Sequence, residues 1–281
     1  MKVFLRQVRF PVFTALLQHS VMLVILILMV APFLWMVVSS FKTESQIFVL
    51  PPQWVPKPIT LENYINAWNA FPLGRFYLNS LFVALSVMVS QVFIASLAAY
   101  VFARLQFPAR DTIFFIFLAT MMLPSQIMLI PRFIIMKELG WIDTYKALIV
   151  PFIATPFATF LLRQAFLGIP IDLEDAARMD GCSRFRILFQ VVLPLAKPAL
   201  ATLATFTFMD HWNAFLWPLI VIQTKQKLTL QVGLSMLRSE LGTEWGTLMA
   251  ASVLAAVPTI VVYFFAQRQF VAGITLTGLK G

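Results

Sequence analysis

Apolar runs of about 20 residues alternate with short polar connections along almost the whole chain of 281 residues. A run of that length, folded as an α-helix, spans the hydrocarbon core of a bilayer. The pattern therefore predicts an all-α integral membrane protein with six transmembrane helices between residues 21 and 266. The predicted spans cover about residues 21–41, 78–103, 112–133, 147–162, 199–222 and 248–266.

Prolines interrupt several of these runs. Pro124 and Pro131 fall in the third run, so we expect that helix to kink or unwind toward its far end. The fifth apolar stretch begins near residue 187 and is broken at Pro198. We therefore predict an amphipathic lead-in before Pro198 and the membrane span after it.

Composition supports a membrane protein. The chain is 60% hydrophobic and 12% charged, with a mean hydropathy of +0.86, whereas soluble domains are about a quarter charged. Its net charge of +9 comes from basic residues scattered at the ends of apolar runs, which indicates membrane topology rather than nucleic-acid binding. The single cysteine, Cys182, excludes an internal disulfide, and no metal-ligand spacing occurs.

The basic residues also predict the orientation. Six spans place both termini on one side, and Lys2, Arg6 and Arg9 favour the cytoplasm for the arm of residues 1–20. The short, Arg-rich connections at residues 104–110 and 163–186 then lie inside as well. The tail of residues 267–281 is predicted to be cytoplasmic too.

A short polar island at residues 169–181 stands out from its apolar surroundings. We predict a surface helix of about two turns, with Pro170 ending the previous helix, Asp172 as N-cap and Gly181 in the left-handed C-terminal position. Such a short helix is not stable alone, and its small apolar face suits a groove on a partner. An ordinary interfacial helix between two spans is the alternative. The residues predicted on the apolar face are Leu173, Ala176 and Ala177.

A second polar cluster lies inside the fifth run. A carboxylate within a membrane span is a candidate functional group, and an aromatic ring beside an amide suits sugars. The alternative is that Asp210 lies near the outer interface, or pairs with His211 or with a neighbouring helix for a structural reason. The cluster comprises Asp210, His211, Trp212, Asn213 and Trp217.

Three motifs carry a resemblance to a known family. Residues 174–181, followed by Leu193 and Pro194, resemble the EAA loop of bacterial ABC-importer permeases, with Asp175 where the family has Glu. Residues 212–219 are similar to the fifth-span signature of the carbohydrate branch. Residues 267–281 resemble the tail of the smaller, six-span permease of maltose-type importers.

The resemblance implies a type I ABC importer permease fold in the bacterial inner membrane, with a cytoplasmic coupling helix in the loop of residues 164–190. It also implies a second permease, two ABC ATPase subunits and an extracytoplasmic solute-binding protein as partners. ATP and Mg would bind the ATPases, because this chain has no phosphate loop, no catalytic residue and no cofactor of its own. The solute would be a sugar or a sugar-like compound.

The resemblance assigns residues to three roles. ATPase coupling falls to Leu173, Glu174, Asp175, Ala176, Ala177, Arg178, Asp180 and Gly181. The translocation path falls to the cluster from Asp210 to Trp217, and a contact of the tail with the ATPases to Gly278, Leu279, Lys280 and Gly281. A membrane enzyme or an ion-coupled carrier that uses Asp210 and His211 is the alternative, although no nucleophile and no inverted repeat accompanies these two residues.

Overall fold

The computed structural model describes residues 12–70, 72–237 and 244–277, with the side chains of residues 15–69, 72–237 and 244–267. These residues form helices joined by short irregular segments, without a strand in the described ranges. The helices are α1 (Val12–Ser40), α2 (Glu44–Ile47), α3 (Glu62–Ala70), α4 (Leu73–Arg104), α5 (Arg110–Ala119), α6 (Leu129–Glu138), α7 (Tyr145–Ile149), α8 (Pro156–Leu167), α9 (Asp172–Met179), α10 (Arg184–Ile187), α11 (Leu193–Leu195), α12 (Lys197–Trp212), α13 (Leu216–Val221), α14 (Leu230–Leu237) and α15 (Trp245–Thr277).

Three helices are long and apolar enough to cross a membrane. They cover Ala15–Ser40, Leu73–Arg104 and Trp245–Gln267, where the sequence predicts the first, second and sixth spans. Two bent helix pairs raise the number of candidate spans to at most five in the described ranges. Continuous helices and bent helix pairs together therefore give fewer candidate spans than the six predicted, within the described ranges.

The third predicted span accounts for the difference. Its residues form α5, a 3₁₀ turn at Thr120–Met122, an irregular segment through Pro124, and α6. Neither helix exceeds 10 residues. Proline lacks the N–H that would continue the helical ladder and restricts the residue before it, so the chain leaves the helix at this point.

The fifth apolar stretch bends sharply before Pro198, as predicted. Arg184–Leu195 meets Lys197–Trp212 at 82°. The predicted span of residues 199–222 is nevertheless not continuous, because α12 ends at Trp212 and α13 begins only at Leu216. The fourth span bends by 41° between Tyr145–Phe152 and Pro156–Leu167.

A buried amide holds the bent fourth span in place. Gln91 of α4 donates to the carbonyl oxygen of Phe152 at 3.1 Å and to the hydroxyl of Thr155 at 3.0 Å. Its own oxygen accepts a hydrogen bond from Thr207 of α12. Non-helical backbone is tolerated at membrane depth when protein groups satisfy it.

Two clusters of buried side chains form the core. The first surrounds Phe76 and Trp212, where α4, α12 and α15 meet. The second surrounds Leu162 and Phe166 of α8 and extends to Ala177 of α9. Small residues along α4 permit this close packing of helix backbones: Ala84, Ala95 and Ala99 are fully or almost fully buried.

Candidate functional site

The polar island forms the predicted short helix, α9, although its N-terminus differs from the prediction. Ile171 already has helical backbone angles and occupies the N-cap position, so Asp172 lies inside the first turn and the prediction that it is the N-cap is wrong. Asp172, Glu174 and Asp175 place three carboxylates in this turn, where the helix dipole favours negative charge.

The C-terminus of α9 has the conformation that was predicted for Gly181. Gly181 has a φ of +77°, which is the left-handed region that favours glycine. Its N–H donates to the carbonyl oxygen of Arg178 at 2.9 Å, and the N–H of Cys182 donates to that of Ala177 at 3.0 Å. These two bonds stop the helix and turn the chain toward α10.

The outer surface of α9 is exposed and mixed in character. Asp175 and Arg178 form an exposed ion pair at 2.7 Å. Apolar side chains stand beside it, with Leu173 45%, Met179 89% and Phe185 of α10 68% exposed. Exposed apolar groups rimmed by charges are typical of a protein–protein contact surface.

The residues predicted to share one apolar face of α9 lie on two different sides of the helix, one exposed and one packed on the protein. Leu173 and Ala176 are exposed, whereas Ala177 packs on the second core cluster. Glu174 is fully buried and its carboxylate lies 2.5 Å from Nε of Arg104. The Glu174 carboxylate is thus not exposed to another subunit in this structure, whereas Asp175 and Asp180 are exposed.

The polar cluster of the fifth stretch borders a cavity of about 640 Å³. The Asp210 side chain is 81% exposed, and its Oδ2 lies 3.3 Å from Nδ1 of His211. Asn213 donates to the carbonyl oxygen of Met209 at 2.8 Å, which turns its side chain along the rim. Trp217 donates to the carbonyl oxygen of Ala147 at 2.9 Å, so its indole has a fixed orientation in the wall.

Trp212 does not line this cavity. Its ring is fully buried, stacks on Phe208 and donates to the carbonyl oxygen of Ala255 at 3.0 Å. The structure therefore assigns Trp212 to the packing of α12 on α15, which corrects its prediction as a path residue.

Arg132 is a cavity residue that the sequence reasoning did not single out. Its guanidinium lies 4.8 Å from the ring centre of Phe152 and 5.4 Å from that of Trp217. No carboxylate of the described residues lies within ion-pair distance of it. An arginine inside the third apolar run is itself a signal that could have identified it.

A polar clamp centred on Asp143 joins two connections between helices. The Asp143 carboxylate accepts hydrogen bonds from the N–H groups of Gln223 at 3.0 Å and Thr224 at 2.9 Å, and from Nζ of Lys227 at 3.0 Å. Burial alone would raise the pKa of Asp143, but the hydrogen bonds from Thr224, Gln223 and Lys227 hold it well below its usual range. The clamp ties the α6–α7 connection to the α13–α14 connection.

Two further predictions from the sequence concern metal binding and the C-terminal tail. No cluster of three or more His, Cys, Asp or Glu side chains that could hold a metal ion occurs in the described ranges. The predicted tail contact of Gly278, Leu279, Lys280 and Gly281 lies outside the described residues.

Comparison with known proteins gives three consistent likenesses. Residues 91–275 match the model of the family described as "Binding-protein-dependent transport system inner membrane component". The arabinooligosaccharides transport system permease AraQ of Bacillus subtilis is 40% identical over 227 residues, which are 80% of this chain and 81% of that protein. The sn-glycerol-3-phosphate transport system permease UgpE of Yersinia pestis is 33% identical over 264 residues, covering 91% of this chain and 94% of that protein.

The architecture has a solved counterpart as well. A chain of a bacterial ABC transporter involved in the import of the acidic polysaccharide alginate superimposes with a TM-score of 0.82 at 23% identity. The match covers 95% of this chain and 99% of the other. At this identity the likeness concerns the fold.

Proposed function

The chain belongs to the family of binding-protein-dependent transport system inner membrane components, and from this premise we propose its solute class, its partners and its route of coupling. It is a permease subunit of an ABC importer and forms half of a translocation path. One observation carries the coupling route: within the family-matched residues 91–275, a short helix is exposed on one side and anchored in the protein on the other.

The proposed solute is a sugar or a sugar-like compound. The relatives named for arabinooligosaccharides and for diacetylchitobiose, the latter from Streptomyces coelicolor, support this class. The cavity supports it chemically, because Trp217 offers a ring for C–H faces while Asn213 and Asp210 offer donors and acceptors. We add Arg132 to the proposed path residues Asp210, His211, Asn213 and Trp217.

The proposed coupling surface is the exposed side of α9 together with its neighbour Phe185. Leu173 and Met179 would fill a groove of an ATPase subunit, and the Asp175–Arg178 pair would align the contact. Two such ATPases bind ATP and Mg, and closure of their dimer would move α9. This chain would contribute no catalytic group of its own.

The proposed assembly also contains a second permease and an extracytoplasmic binding protein. The membrane topology has six spans, of which α5 and α6 together form the third, and both termini lie in the cytoplasm. Helix α1 exposes most of its apolar surface, which lipid or the second permease would cover. We retain the proposal that Gly278–Gly281 reaches between the ATPase subunits.

Reconstitution tests the proposed function. The chain is co-expressed with an ATPase subunit and a second permease, reconstituted into proteoliposomes and supplied with a sugar-loaded binding protein. Uptake should require ATP inside the vesicles and should survive dissipation of ion gradients. ATP hydrolysis by the isolated chain, or uptake driven by an ion gradient without ATP, would refute the proposal.

A further inference from the structure

The inner side of α9 carries a buried polar junction that the proposed docking surface does not use. Glu174 is fully buried, whereas the other residues of this helix except Ala177 are exposed. Its Oε1 accepts from Nε of Arg104 at 2.5 Å, and its Oε2 accepts from the hydroxyl of Tyr100 at 3.2 Å. Both partners belong to the last turns of α4, 70 and 74 residues earlier in the chain.

Arg104 extends the junction to a third helix. Its terminal nitrogen donates to the carbonyl oxygens of Phe166 and Ile169 at 2.7 Å each. These carbonyls lie at and just beyond the C-terminal end of α8, where helical hydrogen bonding ends and a cation is favoured. One guanidinium therefore links α4, α8 and α9.

The remaining contacts of α9 in the described ranges include those with α10 and with residues 188–192. Helix α9 has only eight residues, below the length at which a helix is stable alone. Besides Glu174, only Ala177 of this helix packs on a buried cluster in the described ranges. Glu174 thus provides a direct polar link from α9 to Arg104 and Tyr100 at the end of α4.

We propose that Glu174 is a positioning residue that locks α9 to the ends of α4 and α8, so that displacement of α9 by the ATPase moves these two membrane helices as one body. The neighbouring Asp175 faces the ATPase instead. This inference rests on the proposed function, since it needs an ATPase that displaces α9.

Uptake and ATP hydrolysis measured together in the reconstituted complex test the proposal. Glu174→Gln removes the negative charge and leaves Arg104 buried without its counter-ion. We expect the variant complex to hydrolyse ATP at a rate within about threefold of wild type while the solute transported per ATP falls at least about tenfold. Asp111→Asn is the matched control, because it also removes a carboxylate paired with an arginine but lies at the start of α5, outside the coupling surface, and it should leave the ratio unchanged.

A double variant separates coupling from stability. An unpaired buried charge is strongly destabilising, whereas an apolar pair in place of a buried ion pair is often tolerated. Glu174→Leu combined with Arg104→Met should therefore restore assembly and thermal stability but not the transport ratio, since the double variant lacks both the ion pair and the hydrogen bonds from Arg104 to the carbonyls of Phe166 and Ile169. A restored ratio in the double variant would overturn the proposal.

Distance measurement gives a readout independent of activity. Spin labels at Gln106→Cys and Asp180→Cys, in a Cys182→Ser background, report the separation of the α4 end from α9 in the full complex. With Glu174 present, the distribution of distances between the two labels should be narrow and the same in the nucleotide-free and ATP-bound states. In the Glu174→Gln variant the distribution should be broader. Equal distributions and equal transport ratios for both would refute the lock, whereas absence of ATP-driven uptake by the wild-type complex would refute the proposed function itself.

Discussion

Replacement of Asp210 by Asn is the most direct test of the proposed solute path. The carboxylate borders the cavity and its side chain is 81% exposed, so it contributes little to packing. Surface-like positions of this kind usually change the free energy of unfolding by less than about 0.5 kcal/mol. The substitution should therefore leave assembly and thermal stability unchanged.

The expected effect on transport follows from hydrogen-bond energies. A hydrogen bond between a charged group and a hydroxyl contributes about 1.5–3 kcal/mol, and each 1.4 kcal/mol corresponds to a factor of ten. Loss of one such contact to a sugar hydroxyl should lower the ratio of maximal uptake rate to half-saturating concentration by about 10- to 150-fold. Arg132→Gln should act in the same range, because its donors face the same cavity.

The assay is ATP-dependent uptake into proteoliposomes over a series of concentrations of loaded binding protein. Asp111→Asn is the matched control, since this carboxylate is also exposed, at 72%, but lies at the start of α5 away from the cavity. Unchanged uptake kinetics in both the Asp210 and Arg132 variants would show that the cavity polarity is structural and that the path lies elsewhere.

Three further predictions concern the coupling helix, the clamp and the core. Ala177→Trp should abolish co-purification with the ATPase, because Ala177 packs on the second core cluster and a large ring would displace α9; wild-type assembly of a well-expressed variant would contradict this. Asp143→Asn should lower the unfolding temperature in detergent at pH 7. Because the pKa of the Asp143 carboxyl in the folded protein is held below its ordinary value of about 3.8, this difference should persist above that pH, shrink progressively as the pH falls below it and disappear only below the lowered pKa. A difference that grows on acidification would be contrary evidence. Gly233→Ala should lower the free energy of unfolding by at least about 1–3 kcal/mol, because the added Cβ would lie 2.2 Å from Cδ2 of the buried Phe76 ring. Gly140→Ala is the control for backbone strain alone, because no atom lies within 4 Å of its Cβ position but its φ is +65°.

Prediction from the sequence was correct for structural features that depend only on residues close together in the chain. The apolar runs at the first, second and sixth positions became single helices because only a helix satisfies its backbone within a long apolar segment. The bend before Pro198 and the left-handed angle at Gly181 follow from the stereochemistry of those residues. The third span failed as a continuous helix because the pattern of hydrophobicity does not reveal how far a proline unwinds the chain.

Local sequence does not predict which polar side chains are buried and which are exposed. Glu174 and Asp175 are adjacent carboxylates in one helix turn, and nothing in their chemistry indicates which of them faces inward. Arg104 decides the matter from 70 residues away, because it offers one buried counter-charge on one side of α9. The environment of Arg132 is likewise set by the fold, because the rings that contact its guanidinium belong to Phe152 and Trp217 of two other segments.

The sequence by itself thus determined that the chain is a helical membrane protein with a short polar helix closed by Gly181, since bilayer burial and backbone sterics act on neighbouring residues. Only the tertiary structure decided which side chains of that helix are exposed for a partner and which are locked to the membrane helices. The physical reason is that a charge in a segment of low dielectric is stable only beside its partner, and the partner's position is a property of the packed fold.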